Sequence, residues 1–544
     1  MLFTPLIYLA GFLLTLLSLV VWFYYRRNDD AAVWFQRLVY IGLALYLGGL
    51  FLNPSGMEFK VGSLVRDLTI IGGVGLLFNF LVRKRPAYFF GLIALLTVLF
   101  WYYNHYLKPT ARAFWATPQS SQLIELDPEG ELLLELTTPE VEGELRAALF
   151  MRNLRIEPAF TMEQPELTEL DNYFVVDVPG NAHRQETIDR LITDLQQIPG
   201  VEWIEPNEVI NLDDPSMGEL PTRLPDEVRA KYGINDPGLE ELWAFEAMGM
   251  DKLFTYLRDQ KLKPKRKAIV AILDTGVDAK HEDIESNFKS FAGKHDKDPH
   301  RHGTHCAGIA GSVSDNGKGV ASFSHDNAFV EISSVRVLSP IGSGTQRSII
   351  NGMLEAADKG ADVISMSLGG RSTQSAQRAY EKAVAYANKA NAIVVAAAGN
   401  ANRNARDFSP VNVKGVLGVS AVDANLNRAV FSNTVQDIEM AVAAPGVDIL
   451  STIPGDKYAK FSGTSMATPY VAGLAGLLKS LRPELTTEEL HLILQSSGKD
   501  TGSPRETGRL IQPVEAVKAV ISSKPKGSFW LSTPIGTYRL PDLD

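Results

Sequence analysis

Residues 461 to 476, from Phe461 through Gly463, Thr464 and Ser465 to Gly476, run from a polar, glycine-led turn straight into small apolar side chains. The pattern predicts a helix packed too closely for large residues, with Ser465 at its N-terminal end. Backbone N–H groups there lack intrahelical partners and carry partial positive charge. A serine hydroxyl is a poor nucleophile at neutral pH. Chemistry at Ser465 therefore needs a base, a carboxylate to orient that base, and donors for a developing oxyanion. The chain offers each of them. An apolar run, Val270 to Leu273, ends at Asp274 and a glycine turn. His302 opens a second small-residue helix in His302-Gly303-Thr304-His305-Cys306-Ala307-Gly308. A third apolar run, Ile393 to Ala398, ends at Gly399 and Asn400, whose side-chain amide is a donor.

These four motifs, with Asp, His and Ser in that chain order, resemble those of the subtilisin-like serine peptidases. The resemblance implies that Ser465 attacks the scissile carbonyl, that His302 takes its proton and returns it to the leaving amine, and that Asp274 holds the imidazole tautomer. It assigns Asn400 and the Ser465 N–H to the oxyanion. It makes Ser367, Leu368, Gly369 and Gly370 the edge against which an extended polypeptide substrate pairs. No cofactor is required for that chemistry. Asp283 and the loop Ser314 to Gly319, with Asn316, resemble ligands of a structural Ca2+ site, and a plain Asp-Asn-Gly turn is the other reading. The segment between Asn400 and Pro410 is shorter and more charged than the subtilisin pattern where the family builds the far wall of its specificity pocket.

Other chemistries are less well served. No Gly-x-Ser-x-Gly elbow points to an ester or lipid hydrolase. The complete set Asp274, His302, Asn400 and Ser465 argues against a silent scaffold that only holds peptides. His300, His302 and His305 are spaced to share a cation, yet nothing supplies the rest of a zinc site. Cys306, the sole cysteine, reads as a small buried hydrophobe. A net charge of −10 without a basic cluster excludes a nucleic-acid grip.

The elements that must position these residues follow from hydropathy. Between 235 and 523, short β-branched runs alternate with helical patterns, which predicts an α/β domain with a doubly wound parallel sheet. Residues 121–212 read as β-α-β…α-β, a small ferredoxin-like α+β domain. Its strands are expected at Leu132 to Leu136, Tyr173 to Val178 and Val201 to Pro206, and its helices at Val141 to Met151 and Arg184 to Gln197. Its closing Val201 to Asn207 resembles the end of the family's propeptide, an intramolecular inhibitor, with a mere spacer as the alternative. Residues 213–234 read as an exposed linker. The tail, 524–544, shows no period and has no assigned role.

Ahead of these lie apolar runs near 3–24, 33–52, 63–82 and 87–107. They predict a membrane domain over 1–110 with four transmembrane helices; for the first run a cleavable signal peptide is the alternative. Arg26, Arg27, Arg83, Lys84 and Arg85 fall in the first and third connections. By the positive-inside rule, the N-terminus, the C-terminus and the catalytic domain are then extracytoplasmic. Self-cleavage is expected within 209–220, freeing the catalytic domain from its anchor; the competing reading leaves it tethered.

Overall fold

The computed structural model describes residues 4–26, 29–51, 57–84, 86–91, 125–138, 154–178, 185–212, 225–323, 325–372, 377–522, 530–533 and 536–539, with isolated positions at 142, 143, 146 and 149. The chain forms two compact units, Met1–Leu123 and Ile124–Asp544.

The larger unit is built on a six-stranded sheet in the order Ala441–Pro445, Val416–Val422, Ile393–Ala397, Val363–Met366, Ala268–Asp274, Val330–Arg336. Every pairing in it is parallel. Its inner strands are mostly Val, Ile, Leu and Ala without polar alternation, as covering on both faces requires, whereas the edge strand Val330–Arg336 carries Glu331, Ser333, Ser334 and Arg336. Alternate residues of Ala268–Asp274 serve different cores. Val270 and Ile272 join Cys306, Ala307, Ala472 and Ala475. Ala271 and Leu273 join Ile349, Met353 and Ala383 on the other face. The helices His302–Gly311 and Thr464–Leu481 thus lie on one side, and Gln346–Asp358 and Arg378–Lys389 on the other. This is the doubly wound architecture that the alternation of elements predicts. The chain winds outward in both directions from Ala268–Asp274 and Val363–Met366. That switch point, at the strands' carboxyl ends, is where open α/β sheets place their ligands.

Several details depart from expectation. Val363–Met366 lies inside the sheet, between Ala268–Asp274 and Ile393–Ala397, so Ser365 and Met366 belong to a central strand and not to an edge. Pairing outside the sheet begins at Gly370–Arg371, which meets Phe408–Ser409. The expected linker is partly helical: Asp226–Tyr232 is a helix ending at Gly233 (φ +68°), and Tyr232 and Ile234 enter the core. A hairpin, Ile449–Ile453 with Lys457–Phe461, and the strand Arg155–Pro158 were not expected. The tail carries a two-strand hairpin, Trp530–Thr533 with Gly536–Arg539. Most of Val141 to Met151, and residues 213–224, lie outside the described residues.

Within the same unit, a four-stranded antiparallel sheet runs Arg155–Pro158, Tyr173–Asp177, Leu132–Leu136, Val201–Pro206. Its unbroken Leu132-Leu133-Leu134 run is explained by cover on both faces. Leu132 and Leu134 pack with Ile188 and Leu195 of the helix Gln185–Leu195. Leu133 and Val175 face the core that holds Ile349 and Met353.

In the N-terminal unit, helices Thr4–Tyr25, Asp29–Phe51 and Met57–Leu81 coincide with the first three apolar runs. The first two touch closely: a Cβ on Gly11 would lie 2.1 Å from the Tyr46 nitrogen, and one on Gly42 2.6 Å from that of Thr15. Among the described residues, only Asp30–Gly48 is long and apolar enough to cross a membrane, with Gly11–Tyr25 and Asp67–Leu81 shorter. The expected count of four transmembrane helices is corrected accordingly. Lys60, Arg66 and Asp67 interrupt the third run, and most of the fourth lies outside the described residues.

The Thr464–Leu481 helix is small-residue-rich because backbone lies against it: a Cβ on Gly473 would sit 2.5 Å from the Ala310 carbonyl oxygen. Gly473→Ala is expected to destabilise the domain by about 1–3 kcal/mol through overpacking. Urea denaturation of the two proteins measures this, and an unchanged midpoint would contradict the packing account.

Candidate active site

Asp274 closes its strand at the switch point and is fully buried. Its carbonyl oxygen accepts the N–H groups of Val337 and Leu338 at 2.9 and 3.1 Å, fixing the strand end. Its Oδ1 accepts the Thr275 N–H at 2.7 Å. His302 begins the helix His302–Gly311, and its Nδ1 stands 2.9 and 2.8 Å from the two Asp274 carboxylate oxygens. The approach depends on glycine. A Cβ on Gly303 would lie 2.1 Å from the Gly276 carbonyl oxygen and 3.1 Å from Asp274 Cβ. Gly276 itself holds φ +105°, a conformation that suits glycine. Burial alone would depress the His302 pKa, but the Asp274 carboxylate beside it raises the imidazole well above its ordinary value.

Ser465 lies in the first turn of Thr464–Leu481. Its hydroxyl donates to the Ser367 carbonyl at 3.0 Å, and Ser367 Oγ donates back to the Ser465 carbonyl at 2.8 Å. Cys306 links the two helices. Its Sγ is 3.9 Å from His302 Nδ1 and 3.5 Å from the Ser465 carbonyl oxygen. Burial pushes this thiol's pKa up, so it stays protonated and acts as packing. Asn400 follows Ile393–Ala397, and its Oδ1 accepts both the N–H and the hydroxyl of Thr464 at 2.9 Å. A Cβ built on Gly463 would lie 3.4 Å from Asn400 Nδ2 and 3.6 Å from the Ser465 nitrogen. Both donors therefore border the space beside this glycine. The structure thus brings Asp274 and His302 into contact and gathers Ser465, Ser367 and Asn400 around the same sheet edge.

Beside these residues the chain makes a short two-stranded pairing. Val209–Asn211 pairs antiparallel with Ser343–Thr345, and the Leu212 N–H donates to the Gly342 carbonyl at 2.9 Å. On its other side, Ile210 packs so closely on Gly370 that a Cβ there would lie 3.0 Å from Ile210 Cγ1. Gly370 therefore lies directly against the Val209–Asn211 strand. The facing wall, Gly342 to Thr345, was missed. Its Gly-Ser-Gly signal is too short to stand out without a partner.

His305 does not join His302. It is buried, its Nε2 lies 2.9 Å from the Ala459 carbonyl oxygen, and its ring stacks on Phe461 at 4.1 Å. Burial pushes its pKa down to about 3. Among the described residues, the one close group of three potential ligand side chains is Asp274, His302 and Cys306, whose protonated thiol makes a poor ligand.

Asp283 is fully buried. Its oxygens accept from Asn316 Nδ2 and from the Val320 N–H, each at 2.8 Å. Burial pushes its pKa up to about 8, with Asp236 and Glu282 adding like charge. Carboxylate and amide oxygens suit a hard cation, and crowded buried carboxylates are the charge excess that such an ion relieves. In this structure Asn316 turns its amide nitrogen towards Asp283, and its Oδ1 accepts the Lys318 N–H at 2.8 Å.

A carboxylate–imidazole pair and a helix-terminal serine at the carboxyl edge of a parallel sheet give the arrangement of an α/β serine hydrolase. Comparison with known proteins is more specific. The Subtilase family model matches residues 265–509. Thermitase from Thermoactinomyces vulgaris is 44% identical over 218 residues, 39% of this chain and 75% of the relative. Subtilisin DY from Bacillus licheniformis is 37% identical over 254 residues, 45% of this chain and 89% of the relative. A thermophilic serine proteinase from Bacillus sp. (strain AK1) is 44% identical over 216 residues, 39% of this chain and 52% of the relative. The chain belongs to the subtilase family and is a subtilisin-like serine endopeptidase.

A general base must be neutral to accept a proton, so the raised His302 pKa moves the acid limb of activity upward. We expect kcat/KM to fall as pH drops through a midpoint above 6.5, the ordinary histidine value. A pH–rate profile on a peptide substrate checks this, and a midpoint below that value would contradict the assignment.

Proposed function

We propose that this protein is a membrane-attached, self-inhibited endopeptidase that cleaves peptide bonds through an acyl-enzyme on Ser465. The observation that carries the catalytic part is the His302 Nδ1, bracketed by both Asp274 oxygens and one residue contact away from the Ser465 backbone through Cys306. The Ser465 hydroxyl leaves the Ser367 carbonyl and turns to His302 Nε2. Oγ attacks the substrate carbonyl as its proton passes to the imidazole, and the imidazolium is held by Asp274. The oxyanion takes hydrogen bonds from the Ser465 N–H and Asn400 Nδ2. His302 then protonates the leaving amine, and water repeats the sequence to release the acyl group. Ser367 to Gly370 supply main-chain partners for the substrate backbone.

The reading extends to the domain plan: a membrane domain over 1–110, an inhibitor domain over 121–212, a linker beginning at 213, a catalytic domain to 523 and a tail. In support, the order of the small sheet is that of a ferredoxin-like domain, and its end runs through the groove as strand 209–211. The contact between the two domains is one-sided in charge. Glu135 meets Arg378 and Lys382 at 3.1 and 2.9 Å. Glu157 meets Arg347 at 2.8 Å and Glu202 meets Arg378 at 3.3 Å. Glu205, fully buried, accepts the Ala379 N–H at 3.2 Å at the start of Arg378–Lys389. Such acids sit well at a helix N-terminus. The exposed Trp34, Tyr40, Leu76, Phe80 and Phe90 of the N-terminal unit support burial in lipid. A crossing by the apolar run near 87–107, directly after the basic Arg83-Lys84-Arg85 stretch, would support an extracytoplasmic catalytic domain.

The test is labelling by a fluorophosphonate probe, combined with membrane fractionation and N-terminal sequencing. Wild type should label and yield a fragment beginning within 209–220, while Ser465→Ala should do neither. On the scale that subtilisin sets, Ser465→Ala and His302→Ala should each lower kcat by about 10⁶-fold, without adding. Equal labelling of both proteins would sink the nucleophile. An uncut but active wild type would make residues 121–212 a spacer.

Calcium held by Asp283 and Asn316 would bind only the folded chain and raise its melting temperature. Chelation is expected to lower the Tm of wild type but not of Asp283→Asn; identical melting curves with and without chelator would remove the metal.

A further inference from the structure

Four positions before His302, Asp298 is 8% exposed and has its oxygens engaged five times. Oδ1 accepts the Thr275 hydroxyl at 2.8 Å and the N–H groups of His300 and Arg301, each at 2.9 Å. Oδ2 accepts the Thr304 N–H at 2.8 Å and its hydroxyl at 2.7 Å. The partners are not scattered. Thr275 follows Asp274, donates its own N–H to Asp274 Oδ1 and accepts the Gly303 N–H at 3.0 Å. Thr304 follows Gly303 and accepts the Asp278 N–H at 3.0 Å. One carboxylate therefore ties the end of the Asp274 strand to the first turn of the His302 helix.

A second observation shows what that tie restrains. Arg301, immediately before His302, holds φ +113° and ψ −29°, a region that non-glycine residues avoid at a cost of about 1–3 kcal/mol. Strain of that kind persists only where its surroundings over-determine it. The Asp298 oxygen on the Arg301 N–H does so, because relaxing φ at Arg301 swings the N–H away and rotates the start of the helix that carries His302. Five buried hydrogen bonds converging on one side chain make the restraint stiff.

We propose that Asp298 is a positioning residue for the triad: its carboxylate holds the strained Arg301 backbone and the Thr275 hydroxyl so that His302 Nδ1 meets both Asp274 oxygens. This rests on the triad reading of Asp274, His302 and Ser465. Asp298 touches no substrate and moves no proton. It acts by fixing the distance and angle between two groups whose misplacement is costly; a 1 Å error in such positions is worth about 100-fold in rate.

The experiment uses the full-length protein and four variants: Asp298→Asn, which keeps shape but replaces one acceptor with a donor, Arg301→Gly, their double mutant, and Ser465→Ala. Steady-state kinetics on a peptide substrate, thermal melting, and the low-field proton resonance of the His302 Nδ1–H are read on each. Asp298→Asn is expected to lower kcat about 10- to 100-fold, leave KM within about two-fold, and shift or broaden the low-field resonance. Glycine adopts positive φ without steric cost, so adding Arg301→Gly should restore a large part of the lost kcat. Four results would overturn the inference: kcat within about two-fold of wild type, a change confined to KM, an unmoved resonance, or no rescue by glycine. Ser465→Ala keeps the two claims apart. Full activity in that variant sinks the triad reading, whereas an inactive Ser465→Ala beside a fully active Asp298→Asn sinks only the role of Asp298.

Discussion

Asp274 and His302 meet in a dry interior, and that contact is the constraint from which the domain's construction follows. A carboxylate stripped of water is tolerable only where hydrogen bonds and an opposite charge replace its hydration. Asp274 receives a backbone N–H from Thr275 and the imidazole, and both must arrive without large side chains in the way. Gly303 and Gly276 are therefore obligatory at the crossing. The helix Thr464–Leu481 that carries Ser465 comes in against the His302 helix. Gly473 leaves the room for that approach against the Ala310 carbonyl, while Gly308 admits Ser451 and Thr452 of the hairpin and Gly476 admits Val270 and Val330 of the sheet. The small-residue texture of both helices thus follows from close packing against each other, the hairpin and the sheet.

This also explains what could be read from the chain alone. The His302 and Ser465 helices were legible because glycine in such density is unfavourable in a helix unless backbones must touch. The central strands were legible because cover on two faces keeps them almost wholly apolar, with single buried serines at Ser365 and Ser420. The hairpin Ile449–Phe461 was not: Lys457, Tyr458, Ala459, Lys460 and Phe461 mix exposed and buried positions, and only the pairing with Ile449–Ile453 gives them order. Asp226–Tyr232 is too short for a helical period to emerge. Arg155–Pro158 buries Ile156 alone. Asp298 stands in a polar stretch between Lys297 and Pro299, where nothing local distinguishes it from a surface turn. Its importance comes from Thr275, which lies far back in the chain and arrives only on folding.

The small sheet illustrates the same limit from the opposite side. Leu132 to Leu136 reads as a buried strand, but the residue that decides what it packs against is Glu135, a charge in an otherwise apolar run. Buried among Tyr173, Arg378 and Lys382, it makes sense only with the helix Arg378–Lys389 in place. Ionic contacts of this sort add orientation more than affinity. The apolar contact of Leu133 and Val175 with the opposing core would permit several dockings, and the placement of the acids selects one.

On the proposed self-inhibited reading, the strand from Val209 to Leu212 lies in a groove whose backbone groups any extended guest would have to use. Two occupants cannot share one row of hydrogen-bonding partners, so guest and resident exclude each other however small the guest. The number of open sites in a population is then set by how often this short segment lets go and how soon it returns. A concerted loss of main-chain bonds and of the Ile210 contact is a rare event, and its frequency falls steeply with each contact added. The interval between folding and first turnover thereby becomes a dissociation time: a clock written in three residues of β-structure, and set independently of the speed of the chemistry that it delays.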